Sequence, residues 1–197
     1  MDLISILLFF DNENMSSRLK KERGGPMRKK IMLCLIMATV HAAQTPDWIS
    51  FAGGVYDVLR PRHQTGEIEI EYKFHIRKWT SPFQFLEFLP LAGVMATARG
   101  AGYLYAGINF DCLFFDHILF APGFAAGYYW QGKGKNLGYP LEFRSGIELA
   151  WQFSDYRRLG VHFYHLSNAS LGSRNPGEES IVLYYDIPIS NGFPFIK

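Results

Sequence analysis

The stretch EIEIEYKFHIR, residues 67–77, alternates apolar and polar side chains without a break. An α-helix would scatter the two sets around its circumference, whereas a β-strand places them on opposite faces. The stretch therefore predicts a strand with one charged face and one apolar face, the latter formed by Ile68, Ile70, Tyr72, Phe74 and Ile76.

The same period of two recurs along the chain, most clearly in LEFRSGIELAWQF, residues 141–153. Segments of about ten residues are long enough for a tilted strand to cross a hydrocarbon layer. We therefore expect an all-β fold, an eight-stranded antiparallel up-and-down transmembrane β-barrel. The pattern predicts strands near residues 48–58, 66–77, 89–99, 102–110, 117–130, 141–153, 158–167 and 179–189.

The first part of the chain is predicted to be an export signal. Residues 27–42 have a basic start, an apolar run and small residues before a cleavage point after Ala42, the three parts of a signal peptide. Residues 1–26 are interpreted as an upstream extension before the true start at Met27. Residues 43–197 contain no apolar run long enough for a transmembrane helix, and we expect them to form the barrel domain.

Composition argues against several classes of protein. The formal net charge is +2 and the basic residues are not gathered on one face, so nucleic acid is not an expected partner. After signal removal Cys112 would be the single cysteine, which leaves no disulfide framework and is interpreted as an apolar filler. No metal-ligand spacing is present, and we expect neither a metal nor an organic cofactor.

A soluble barrel of the lipocalin type is the alternative fold, and it would place the apolar residues inside. Apolar faces in nearly every strand favour the membrane barrel, as do aromatics near the predicted strand ends, namely Trp48, Tyr56, Trp79, Tyr128, Tyr129 and Trp130. In a membrane barrel His75 and His162 would be satisfied interior histidines. Charged side chains would also point inward and pair with one another, namely Glu67, Glu69, Glu71, Lys73, Arg77, Glu142, Arg144, Glu148 and Asp186.

Three polar residues share the parity of the outer, apolar face. His165 and Ser167 lie on it at the end of the seventh predicted strand, and Glu179 lies on it at the start of the eighth. Residues i and i+2 of a strand are about 6.6 Å apart, and directly opposed residues are about 5 Å apart. Ser167 could then act as nucleophile, His165 as base and Glu179 as its orienting group. A purely polar rim is the alternative, and Glu178, with opposite parity, is the weaker candidate.

The segment HLSNASLGSRNPGEE, residues 165–179, resembles the active-site segment of the lipid A 3-O-deacylases, the PagL family of outer-membrane enzymes. The resemblance implies a barrel in the cell outer membrane with a Ser167–His165–Glu179 triad on its outer surface. It also implies hydrolysis of the ester-linked 3-hydroxyacyl chain at position 3 of lipid A. The positions that match the family's pattern are His165, Ser167, Asn168, Ala169, Leu171, Asn175, Gly177 and Glu179.

Backbone amides near Asn168 and Ser170 are expected to form the oxyanion hole of such an enzyme. Ser170 stands where the family usually has glycine. The implied partner is lipid A or lipopolysaccharide in the outer membrane, and the sequence leaves a homodimer open. Two other functions also fit a barrel of this size: a non-enzymatic adhesion or envelope-stability protein, and a lipid acyltransferase.

Overall fold

A computed structural model describes residues 46–76 and 86–189, and these form a closed antiparallel barrel of eight strands. Each strand pairs with the next in sequence, and β8 pairs with β1 to close the barrel. The predicted fold is confirmed; residues 1–45, with the predicted signal peptide, lie outside the described residues, as do Arg77 and Trp79. The strands are β1 (Asp47–Tyr56), β2 (Thr65–Lys73), β3 (Leu86–Thr97), β4 (Gly102–Phe114), β5 (Ile118–Trp130), β6 (Leu141–Gln152), β7 (Arg158–Ser167) and β8 (Glu178–Ile189).

The barrel wall is apolar outside and charged inside. Along β6, Arg144 and Glu148 are buried, while Ile147 and Leu149 on the other face are about half exposed. This distribution is the reverse of that in a soluble barrel and is the one that a hydrocarbon layer requires. Within residues 46–76 and 86–189, no helix is long and apolar enough to cross a membrane.

Several of the inward charges form ion pairs across the interior, whereas Glu67 and Glu142 point inward without an ion pair among the described residues. Lys73 Nζ lies 2.7 Å from Glu148 Oε2 and 3.1 Å from Asp186 Oδ2. Arg144 Nη2 lies 2.6 Å from Glu71 Oε2. The predicted buried network is therefore confirmed for these residues. Of the two predicted interior histidines, His162 is buried, whereas His75 lies beyond the end of β2, half-buried and paired with Glu87.

Three of the aromatics near the strand ends, Trp48, Tyr56 and Tyr129, face the interior. Trp48 is fully buried, donates its indole N–H to the carbonyl of Tyr156 at 2.9 Å and stacks under the Arg158 guanidinium. The hydroxyls of Tyr56 and Tyr129 are 3.0 Å apart inside the barrel. Neighbouring residues of a strand face opposite sides, so an aromatic near a strand end can lie on either face of the wall. Two of the named aromatics remain on the outer wall, Tyr128 and Trp130.

Four loops meet at one end of the barrel, which we call the site end: 57–64, 98–101, 131–140 and 168–177. Loop 131–140 folds into the mouth, where Leu137 is buried among interior tyrosines. Lys135 Nζ lies 2.7 Å from Asp57 Oδ1, which ties this loop to loop 57–64. These contacts fix loops 57–64 and 131–140 against each other.

Candidate active site

His165 and Glu179 lie side by side on the outer wall at the site end. They are cross-strand partners in the β7–β8 register, and His165 Nδ1 is 3.2 Å from Glu179 Oε1. The His165 side chain is 39% exposed and that of Glu179 is 15% exposed. Because the carboxylate engages Nδ1, Nε2 is left as the ring nitrogen that can exchange a proton with a hydroxyl.

The neighbouring Glu178 points the other way, into the barrel. It is fully buried, and its Oε2 accepts a hydrogen bond from Ser180 Oγ at 2.9 Å and one from the backbone N–H of Asp57 at 3.3 Å. The parity argument therefore separates the two glutamates as the structure does: only Glu179 reaches His165.

Arg60, from loop 57–64, holds the other carboxylate oxygen of Glu179. Its Nη1 lies 3.3 Å from Glu179 Oε2 and donates to the carbonyl of Gly177 at 3.0 Å. The backbone N–H of Val58 also donates to the carbonyl of Glu179 at 2.7 Å. The β1–β2 loop thus fixes both the backbone and the side chain of Glu179, and sequence reasoning did not identify Arg60.

Gly177 provides the space that the His165 ring occupies. A Cβ at this position would lie 2.6 Å from His165 Cε1, closer than real side chains approach. Its φ of 57° is also in the left-handed region that favours glycine. The ring of His165 therefore lies between the carboxylate of Glu179 and the bare backbone of Gly177.

Two serines flank His165 on the outer wall. Ser167 is half-buried two residues further along β7, and Ser145 is exposed directly opposite His165 on β6. Among the described residues, no hydrogen bond joins either hydroxyl to the imidazole. Catalytic hydrogen bonds are often formed only when substrate is bound, so geometry alone does not choose between the serines. Ser145 was missed by the sequence analysis, although its parity with Ile147 places it on this face.

Asn168 ties the loop after β7 to its neighbour. Its Nδ2 donates to the carbonyls of Leu137 at 2.8 Å and Arg174 at 2.9 Å, and its backbone N–H donates to Asn175 Oδ1 at 3.0 Å. The side chain is fully buried. These hydrogen bonds use both amide hydrogens of Asn168, so its side chain positions the loop next to Ser167.

Ala169 and Ser170 follow in the left-handed region, with φ of 50° and 65°. Among the described residues, the backbone N–H groups of these two residues have no hydrogen-bond acceptor. Successive backbone N–H groups in such turns form concave sites that attract anionic oxygen. Two free donors therefore lie two and three residues after Ser167.

Below the polar cluster the outer wall is continuously apolar. Phe163 lies two residues before His165 on the same face of β7, and it pairs with Ile147 on β6 and with Ile181 on β8. All three are more than 40% exposed. A hydroxyl beside an imidazole–carboxylate pair, at the top of an apolar wall, is suited to attack on an ester whose acyl chain lies along that wall.

Comparison with known families gives the chain's relationship. A family model described as lipid A 3-O-deacylase (PagL) matches residues 62–188, well over half of the chain. The chain belongs to the PagL family. A curated member, lipid A deacylase PagL of Pseudomonas aeruginosa, is 42% identical over 55 residues, which are 28% of this chain and 32% of that protein.

The PagL fold is also shared by a solved structure. The crystal structure titled as that of the outer membrane enzyme PagL superposes with a TM-score of 0.57 at 24% identity. The match covers 72% of this chain and 99% of the other, so it extends to the whole barrel. Within residues 46–76 and 86–189, no cluster of metal-ligating side chains occurs.

Two residues of this PagL-family chain, Ser170 and Arg60, have a backbone conformation or a contact that bears on the site. Ser170 adopts a φ of 65°, in the left-handed region that favours glycine. Arg60 lies before residue 62, where the family match begins, although it contacts Glu179. Its role depends on how loop 57–64 folds back onto β8, a contact between residues distant in sequence.

Proposed function

We propose that the protein is a lipid A 3-O-deacylase of the outer membrane, a serine esterase that releases the ester-linked 3-hydroxyacyl chain at position 3. The observation that carries the proposal is the His165–Glu179 pair on the apolar outer wall, two residues from Ser167. Membership of the PagL family supports the same activity. An enzyme whose substrate is a membrane lipid needs its reacting groups on this wall, at the level of the lipid headgroup.

In the first half of the reaction, Ser167 Oγ attacks the ester carbonyl carbon while His165 Nε2 takes the hydroxyl proton. The carbonyl electron pair moves onto oxygen, and the resulting oxyanion accepts hydrogen bonds from the backbone N–H groups of Ala169 and Ser170. When the carbonyl re-forms, the sugar oxygen leaves with the proton from His165. The acyl chain is then an ester of Ser167.

In the second half, water attacks the Ser167 ester and gives its proton to His165. The intermediate collapses, the proton returns to Ser167, and the 3-hydroxy fatty acid is released. Glu179 orients the imidazole throughout and stabilises its charged form. Side chains of one subunit, backbone groups and water supply every group, so the proposal needs no metal, no organic cofactor and no second subunit.

Asn168 has a positioning role in this proposal. Its side-chain amide is engaged by Leu137 and Arg174, so it holds the turn of Ala169 and Ser170 in place, and the oxyanion is bound by the backbone of that turn. A missing oxyanion donor typically costs about a hundred- to a thousandfold in kcat, which makes correct placement of this turn essential.

The test is to incubate the purified protein in detergent with lipid A and to identify the products by mass spectrometry. We expect release of one free 3-hydroxy fatty acid and a lipid A that retains its other acyl chains. Ser167→Ala should abolish the reaction. Ser145→Ala is the matched control, because that serine also flanks His165 on the outer wall, and it should retain activity.

Other outcomes would assign a different function. Unchanged lipid A with the native protein would favour a non-enzymatic barrel. Transfer of the acyl chain to an added glycerolipid, without free fatty acid, would identify an acyltransferase. Loss of activity in Ser145→Ala but not in Ser167→Ala would contradict the assignment of the nucleophile.

A further inference from the structure

The loops of the site end carry exposed cations without exposed anions. Asp57 is the one acidic residue in loops 57–64, 98–101, 131–140 and 168–177, and it is fully buried. Its carboxylate is already paired with Lys135 and lies near Arg60. The exposed cationic side chains of these loops are Arg60, Arg62, Arg99, Lys133 and Arg174.

Three of these cations come from three loops that are joined directly to one another. Arg99 Nη1 donates to the carbonyl of Arg62 at 3.2 Å, and the backbone N–H of Lys133 donates to the carbonyl of Arg99 at 2.9 Å. Within residues 46–76 and 86–189, none of the three forms an ion pair. We call Arg62, Arg99 and Lys133 the phosphate platform.

A group of like charges without counter-charges is unfavourable in the free protein and favourable when an anion binds. Guanidinium groups match the oxygens of a phosphate with two parallel hydrogen bonds, and lysine adds a point charge. We propose that the phosphate platform binds the phosphate groups of the lipid A headgroup, an inference that rests on the proposed function. Polybasic surfaces attract anionic lipid headgroups by the same charge effect.

Arg62 connects the platform to the catalytic residues through loop 57–64. Arg62 shares loop 57–64 with Arg60, which contacts Glu179. A phosphorylated sugar held on the platform would therefore be linked through one short loop to the wall that carries His165 and Ser167. The platform would select the headgroup, while the apolar wall accepts the acyl chain.

The experiment compares the native protein with the triple variant Arg62→Gln/Arg99→Gln/Lys133→Gln in detergent. For phosphorylated lipid A we expect KM to rise at least about tenfold, with kcat within about twofold, because three cations that would bind the anionic headgroup are removed. The native protein and the triple variant should have the same KM and kcat for lipid A stripped of its phosphates and for a neutral nitrophenyl ester. The charge-preserving variant Arg62→Lys/Arg99→Lys should keep a low KM.

Binding is measured separately from turnover, in the Ser167→Ala background, so that failure of the proposed esterase activity and failure of the platform are distinguishable. The dissociation constant of phosphorylated lipid A should rise about tenfold when the platform is removed, and that of the dephosphorylated lipid should not change. Lys133→Gln alone leaves the Arg99–Arg62 hydrogen bond intact and should give a smaller rise in this dissociation constant. It replaces the triple variant in the test if that variant does not fold.

Three results would overturn the inference. The first is an unchanged dissociation constant in the folded variants. The second is equal weakening for phosphorylated and dephosphorylated lipid A. The third is full competition by phosphatidylglycerol vesicles or by millimolar inorganic phosphate, which would assign the platform to anionic lipids in general or to free phosphate.

Discussion

At the scale of single residues, the chemistry of the site depends on how one imidazole is held. Glu179 engages Nδ1, the backbone of Gly177 lies against the ring, and Arg60 holds the carboxylate from the far side. Strand parity was enough to choose Glu179 over Glu178. Arg60 and Gly177 could not be chosen in this way, because their contacts depend on the path of two loops.

Arg60 is expected to act as a positioning residue for Glu179. Arg60→Ala should lower kcat about fivefold with little change in KM, since a partly exposed ion pair contributes on the order of 1 kcal/mol. Arg60→Lys should be intermediate, because an ammonium keeps the positive charge beside Glu179 and Gly177 but is more strongly hydrated and sits on a more flexible stem than a guanidinium. Steady-state kinetics on a neutral ester measure both effects without involving phosphate.

The control for Arg60 is Gln64→Ala, because Gln64 is an exposed residue of the same loop whose side chain donates a hydrogen bond to the carbonyl of Val58. It should behave as the native protein. Added guanidinium ion should partly restore Arg60→Ala, whereas it should not restore Ser167→Ala. If kcat falls in Arg60→Ala together with the unfolding temperature, and guanidinium does not restore it, the role of Arg60 would be purely structural.

At the scale of elements, the strands follow from the sequence more closely than the loops do. The period of two located all eight strands, and β7 begins and ends where predicted. β4 continues to Phe114, beyond its predicted end at residue 110, because Asp111 is an interior residue. Its carboxylate lies 2.6 Å from Arg158 across the barrel, and a partner that distant in sequence cannot be read from local pattern.

Asn168 holds the loop after β7 in place. Substitution of Asn168 therefore tests whether its hydrogen bonds position this loop. Asn168→Asp keeps the shape but puts an acceptor oxygen against the carbonyls of Leu137 and Arg174. Loss of buried hydrogen bonds costs roughly 1–3 kcal/mol per unsatisfied group, so the loop should detach and kcat should fall by more than about tenfold. Limited proteolysis should cut within 168–177 while the barrel stays intact.

Asn136→Asp is the matched control for that substitution. Asn136 is exposed in the adjoining loop, and its Oδ1 accepts a hydrogen bond from the backbone N–H of Gly138 at 2.9 Å. Aspartate retains this acceptor, so proteolysis and kcat should not change. If loop 168–177 resisted protease equally in Asn168→Asp and in the native protein, the contacts of Asn168 with the two carbonyls would not be what holds the loop.

At the scale of the whole molecule, an apolar wall surrounds a charged core. The alternating pattern predicted both sets of residues, but parity by itself does not say which set faces inward. The same limit applies to the aromatics near the strand ends: Trp48 and Tyr129 face the interior, whereas Tyr128 and Trp130 face outward. Pairing of the interior charges could be expected in general, whereas the particular partners depend on the diameter and stagger of the barrel.

Lys73 tests how far the barrel depends on that core. Its side chain is 1% exposed and forms ion pairs with both Glu148 and Asp186. Lys73→Met would therefore leave two buried carboxylates without this cation. Removing one partner of a buried ion pair costs about 3–5 kcal/mol. We expect urea unfolding in lipid vesicles, followed by tryptophan fluorescence, to show a loss of this size. Arg157→Gln is the contrast: Arg157 pairs with Asp155 in an exposed turn and lowers the pKa of that carboxyl, and because solvent screens this pair, the variant should unfold at nearly the same urea concentration as the native protein. Equal stabilities for the two variants would mean that the interior charges do not hold the barrel together.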